Sequence, residues 1–102
     1  MLDVCLLALI AEEPSYGSEF VVNLSTRGLP LVADGSIYPS LSRLQKQGLA
    51  EGYFEEHEGG GPPRKYYRIT PEGEAMLSAW TAEWVELSRG VDSVLGGGSR
   101  GA

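Results

Sequence analysis

The sequence predicts an α+β chain, mainly helical, and three observations carry that reading. Apolar residues recur with a helical rhythm in three short segments of the N-terminal half. Two runs rich in aromatic and β-branched residues, LAEGYFEE and RKYYRIT, flank the turn-like EHEGGGPP. From Pro71 a helical pattern then continues to about Gly96. The expected order is helix, helix, helix, hairpin, long helix.

The first segment, Leu2 to Ala11, is apolar nearly all round, as in a short helix buried on several sides, and Glu12, Glu13 and Pro14 end it. The second offers Ser15 as N-cap, Glu19 in the first turn, Phe20, Val21 and Leu24 as its apolar group, and Gly28 as the stop. After the link LPLVAD comes GSIYPSLSRLQKQGL. At 100° per residue, Ile37, Leu41 and Leu44 form one stripe. Ser36, Pro39, Ser42, Arg43 and Lys46 lie opposite, with Tyr38 on the flank. Pro39 lacks an N–H and is expected in the first turn, which places the helix start near Gly35 or Ser36, with Ser36 as cap. Along the second hairpin strand, Tyr66 and Tyr67 must face opposite sides. In the long helix, Met76, Leu77, Trp80, Trp84, Leu87, Val91, Val94 and Leu95 fall within about 100° of arc, with charges opposite. A helix of about 24 residues, roughly 36 Å at 1.5 Å per residue, outreaches so small a core, so a partner chain is expected to cover it.

Composition narrows the functional classes. The 102 residues carry a formal net charge of −6, which argues against indiscriminate binding to nucleic acid. The charge is segregated, however. Gly35 to Gln47 contains Arg43 and Lys46 with no carboxylate, and Pro62 to Ile69 contains Arg64, Lys65 and Arg68 with none. A helix and a hairpin that share a local excess of cations can form a DNA footprint on an acidic protein. Catalysis finds no support: His57, the one histidine, sits in an acidic, Gly-rich tip without a partnered nucleophile, and one Cys and one His make no metal set. GGG at 59–61 lacks the Lys-Ser/Thr of a phosphate loop. No catalytic residue, metal site or cofactor is expected. Cys5, within an apolar run, is expected to act as a small buried hydrophobe. The opening run is too short to span a bilayer and has Asp3 where a signal peptide would carry Lys or Arg, so a cytoplasmic location is expected.

Four motifs occur together: Gly35-Ser-Ile-Tyr-Pro39, Gly48-Leu49, Pro63-Arg-Lys-Tyr-Tyr67 and Thr70-Pro-Glu-Gly73, preceded by Ser15-Tyr-Gly17. Jointly they resemble the DNA-binding core of PadR-like transcriptional regulators, over nearly the whole chain to about Leu95. The resemblance implies a winged helix-turn-helix DNA-binding domain over 1–70, a C-terminal dimerisation helix over 71–95 and a flexible tail over 96–102. It further implies that Ser36, Tyr38, Ser40 and Arg43 meet the major groove, with Lys46 nearer the backbone and Arg64 and Lys65 contacting phosphates or the minor groove. Arg can read guanine bidentately, whereas Lys is a point charge for phosphate. Met76, Leu77, Trp80, Trp84, Leu87, Val91 and Leu95 would form a two-fold dimer seam that sets two recognition helices on a palindromic operator. Trp84 either fills that seam or lines a pore for an apolar or aromatic effector. The expected function is a homodimeric, signal-released repressor binding double-stranded DNA, with no membrane partner. The competing expectation is a winged-helix protein-interaction module without direct DNA binding.

Overall fold

The computed structural model describes residues 2–29 and 34–96. Its elements are α1 (Leu2–Glu12), β1 (Ser15–Tyr16), α2 (Gly17–Thr26), α3 (Asp34–Lys46), β2 (Ala50–Glu55), β3 (Arg64–Ile69) and α4 (Pro71–Val94). The α+β class and the element order agree with the sequence, with one strand added. Of the expected tail over 96–102, residues 97–102 lie outside the described residues, as do residues 30–33 of the link between α2 and α3.

Because α1 is apolar on every side, it becomes the hub, touching α2, α3, α4 and β3. Its Leu6, Leu7, Leu9 and Ile10 are buried with Phe20 and Leu24 of α2 and Ile37, Leu41 and Leu44 of α3. Cys5 is half-buried at the edge of this core rather than enclosed by it. Both α2 and α3 are closed by a left-handed glycine. At Gly28 (φ 94°) the Leu29 N–H returns to the Leu24 carbonyl at 2.8 Å, and at Gly48 (φ 77°) the Leu49 N–H returns to Leu44 at 2.9 Å. These 6→1 closures satisfy terminal carbonyls and require a residue free of a Cβ penalty.

Two expected helix starts are corrected. Ser15 does not cap α2. It is a buried strand residue whose hydroxyl donates to the Glu13 carbonyl at 3.1 Å, while α2 begins at Gly17 and Glu19 Oε1 accepts the Tyr16 N–H at 3.1 Å. α3 begins at Asp34, so Ser36 is its third residue rather than its cap, and Pro39 lies beyond the first turn. There Pro39 withholds a donor from the carbonyl four residues earlier, a cost that packing of the Ile37, Leu41 and Leu44 stripe must offset.

The hairpin is joined by β1, giving an antiparallel sheet of order β1-β3-β2 rather than the expected two strands. Its register sets Tyr16 opposite Tyr66 and Tyr66 opposite Tyr53. Period two then sorts the two tyrosines of β3. Tyr67 is buried against Phe20, ring centroids 6.4 Å apart, and Tyr66 lies on the other face between Tyr16 (5.2 Å, edge-on) and Tyr53 (5.9 Å, stacked).

α4 is anchored at its start. Thr70 Oγ1 accepts the Gly73 N–H at 2.9 Å and donates to the Gly48 carbonyl at 2.7 Å, and the Thr70 N–H reaches the Leu49 carbonyl at 3.1 Å. This N-cap therefore ties the helix to the turn between α3 and β2. The apolar stripe of α4 then divides. Leu77 and Trp80, expected in a dimer seam, are half-buried against their own core. Met76, Trp84, Leu87, Val91, Val94 and Leu95 are exposed, Leu87 at 57% and Val94 at 85%. Among the described residues, no helix is long and apolar enough to cross a membrane.

Candidate nucleic-acid interface

α3 is clasped on both sides of its outward face. On the α2 side, Tyr38 stands 58% exposed with its hydroxyl against the backbone of Gly17, the first residue of α2. With Tyr38 so placed, a Cβ on Gly17 would overlap its ring end, so any larger residue displaces the tyrosine. On the α1 side, Ser40 is fully buried and donates through Oγ to Asp3 Oδ1 at 2.7 Å. Arg43 donates to the same carboxylate, from Nη2 to Oδ1 at 2.8 Å and from Nε to Oδ2 at 3.2 Å, and its Nη2 also reaches Ser40 Oγ at 2.9 Å.

Of the α3 residues expected at DNA, Ser36, Tyr38, Arg43 and Lys46 are therefore exposed, and Ser40 is not. Ser40 faces inward, and its hydroxyl is already committed to Asp3. The segment Gly35 to Gln47, free of acids in sequence, has one beside it in space. Asp3, 40 residues away in sequence, pairs with Arg43. The Arg43 hydrogen bonds, the largest influence, hold the Asp3 carboxyl below its ordinary range against the opposing effect of burial, and Asp3 raises the Arg43 guanidinium in return.

The hairpin separates its cations. Arg68 pairs with Glu51 at 2.7 Å and lies over the Tyr53 ring, on the sheet face that carries Tyr66, so it does not join α3. Arg64 covers the Tyr16 ring at 4.4 Å. Lys65 projects from the opposite face, its Nζ 5.4 Å from the Tyr67 ring centroid. Its stem crosses Gly52, where a Cβ would stand 2.6 Å from Lys65 Cε, so that glycine makes space for the lysine. Despite their opposite origins, Arg64 and Lys65 line one cleft with Tyr16, Gly17, Ser18, Tyr38 and Tyr67. Among the described residues, Lys46, Arg64 and Lys65 make no ion pair. The cleft combines two cations, the Tyr38 hydroxyl and the first backbone N–H groups of α2, a donor set suited to phosphate oxygens.

A second recess, lined by Val4, Trp80, Glu83, Trp84 and Leu87, lies between α1 and the middle of α4. Trp84 thus borders both a recess and the exposed stripe. Among the described residues, no cluster of His, Cys, Asp and Glu could hold a metal ion.

Asp3, Tyr16 and Gly17 join the site although the sequence does not mark them as site residues. Ser15-Tyr-Gly17 is visible as a motif, but its position against α3 is not. Asp3 carries no local signal.

The fold has close counterparts among solved structures. The solved structure of a PadR-like transcriptional regulator from Bacillus cereus superposes with a TM-score of 0.83 at 40% identity, covering 94% of this chain and 92% of that one. A PadR-like transcription factor from Bacteroides fragilis gives 0.77 at 37% identity, covering 92% and 89%. Transcriptional regulator Rv3488 of Mycobacterium tuberculosis is 36% identical over 92 residues, 90% of this chain and 80% of that protein. Residues 6–79 match the PadR-like transcriptional regulator family as a whole, and the chain belongs to that family of DNA-binding, winged-helix regulators, which is not a class of enzymes.

Proposed function

We propose that the chain is a cytoplasmic, homodimeric repressor that binds a palindromic operator through α3 and the wing and is released by an apolar or aromatic effector. The observation that carries the DNA reading is the cleft in which Tyr38 of α3, the start of α2 and the wing cations Arg64 and Lys65 meet, on a chain of net charge −6. In this reading Arg43 and Ser36 face the major groove, and Lys46, Arg64 and Lys65 hold phosphates. Ser40 serves from behind, as part of the α1–α3 contact. The exposed half of the α4 stripe supports the dimer, since Trp84, Leu87, Val91, Val94 and Leu95 are too many large apolar groups to leave in water on one helix. Trp84 beside the α1–α4 recess supports the effector site.

Gel retardation and footprinting on the DNA upstream of the chain's own gene test the proposal. Binding should fall steeply with salt. Lys65→Ala should weaken all sequences alike and reduce the salt slope by about 0.9 for each phosphate it no longer neutralises. Arg43→Ala should cost about 1–3 kcal/mol on the operator and relax preference at one base pair per half-site. A parent protein that leaves its upstream DNA unretarded would favour the protein-interaction module instead.

A further inference from the structure

The Asp3–Ser40–Arg43 cluster joins the hub helix to the recognition helix, and its geometry constrains what Arg43 can do. An arginine on an exposed helix face ordinarily samples many rotamers. Here Nε and Nη2, one edge of the guanidinium, are held by the two Asp3 oxygens in a fork, and Nη2 has the Ser40 hydroxyl as a further acceptor. Asp3 is itself held by the buried Ser40 hydroxyl and by the packing of α1 on α3. Among the described residues, Nη1 has no protein acceptor.

As a device for stability this pair is poorly placed. The Asp3 side chain is 21% exposed but its Arg43 partner is 56% exposed, and an ion pair open to water on one side contributes modestly. The Ser40 hydroxyl could bond the helix carbonyl four residues earlier without any help from α1. The arrangement has two effects on DNA recognition. Holding the guanidinium by one edge aims its remaining N–H groups in a fixed direction, so less side-chain freedom is lost when a base edge is met. Pairing it with a carboxylate removes one net positive charge from the face presented to phosphates, which weakens sequence-independent attraction.

We propose that Asp3 is a positioning residue that sets sequence specificity through Arg43, sharpening its base contact and suppressing non-specific binding. The proposal rests on the reading that α3 enters DNA.

Operator and unrelated duplex DNA are titrated in parallel at several salt concentrations with the parent chain, Asp3→Asn, Arg43→Lys, Arg43→Ala and the double variant Asp3→Asn/Arg43→Ala. Asp3→Asn, which takes the net charge of each chain from −6 to about −5, should bind unrelated DNA more tightly. Its operator-to-unrelated affinity ratio should fall about fivefold or more, as loss of an aimed hydrogen bond from Nη1 to a base edge would give. Arg43→Lys keeps the charge but has no fork and should lower the ratio similarly, which preserves the test if Asp3→Asn folds poorly. In the Arg43→Ala background, Asp3→Asn should leave the ratio unchanged, an outcome that a merely structural role for Asp3 would not give. An unchanged or higher ratio in Asp3→Asn or Arg43→Lys, or an equal fall in the Arg43→Ala background, overturns the proposal while the DNA-binding reading stands. A parent that does not discriminate the operator overturns both.

Discussion

Gly73 is the position at which a single methyl group should do most damage. It is the third residue of α4 and is buried, and a Cβ there would overlap the Leu49 carbonyl oxygen and stand 2.8 Å from Ile69 Cγ1. That carbonyl is backbone and accepts the Thr70 N–H at 3.1 Å, so it cannot swing away as a side-chain end could. Gly73→Ala gains about 1 kcal/mol of helix propensity. Against this stand an overpacking cost of about 1–3 kcal/mol and about 0.5–1.5 kcal/mol for the Thr70–Leu49 bond if the strand root gives way. Loss of the Thr70 cap on the Gly73 N–H would add about 1 kcal/mol. With both bonds lost the net expectation is a destabilisation of about 1.5–4.5 kcal/mol, lowering Tm by roughly 6 to 35 °C for a chain of this size. Urea and thermal unfolding of parent and variant at one fixed protein concentration, as association demands, would measure it. A variant that melts at or above the parent would refute the claim that Thr-Pro-Glu-Gly needs its glycine for close approach of α4 to the start of the wing.

Gly17→Ala should behave oppositely, because its methyl group would meet only the end of the exposed Tyr38 side chain. Stability should stay within about 0.5 kcal/mol of the parent while operator affinity drops, and equal affinity in retardation assays would remove Tyr38 and this cleft from the interface. Leu87→Glu exposes a carboxylate harmlessly on a monomer but buries it unpaired in a dimer centred on the α4 stripe. Sedimentation of the variant should therefore show monomer, or unfolded chain, with operator binding abolished, and a variant that sediments as the parent does would place the subunit contact elsewhere.

What sequence showed of the fold follows from the range of each interaction. The cap at Gly28 depends on backbone conformation within a few residues, so the glycine marked it in advance; the caps at Gly48 and Thr70 are equally local but stood out only as parts of motifs. Alternation at Tyr66 and Tyr67 is equally local. β1 left no such trace, since two residues have no period and Ser15 and Tyr16 become a strand only because Tyr67 and Tyr66 lie beside them. Proline at 39 suggested a helix start because an isolated helix would place it in the first turn, yet the buried stripe of α3 carries the helix back to Asp34. The division of the α4 stripe also needed three dimensions. Leu77 and Trp80 share the helical face of Leu87 and Val91, and only the extent of α1 decides which of them the chain itself covers.

The candidate interface shows the same limit in its charges. Projection of α3 already places Ser40 about 40° from Leu44, on the border of the buried stripe, so its inward orientation follows from helical geometry even though the family resemblance places it at DNA. Arg43 lies about 60° further round and is outward on any projection. No property of α3 shows that it is paired, because the carboxylate comes from the first turn of α1. Counting acids within a segment therefore overstated the positive charge of this face by one. The same count treated the hairpin as uniform, although strand alternation sends Arg68 to Glu51 and leaves Lys65 beside α3. On α3 and the wing, the cations without a carboxylate partner among the described residues, Lys46, Arg64 and Lys65, are suited to phosphate contacts, and Arg43, aimed by its carboxylate, is the one suited to reading a base. Non-specific attraction should therefore depend on the first three residues. If Arg43→Ala changed the salt slope as much as Lys65→Ala does, that division of labour would be wrong.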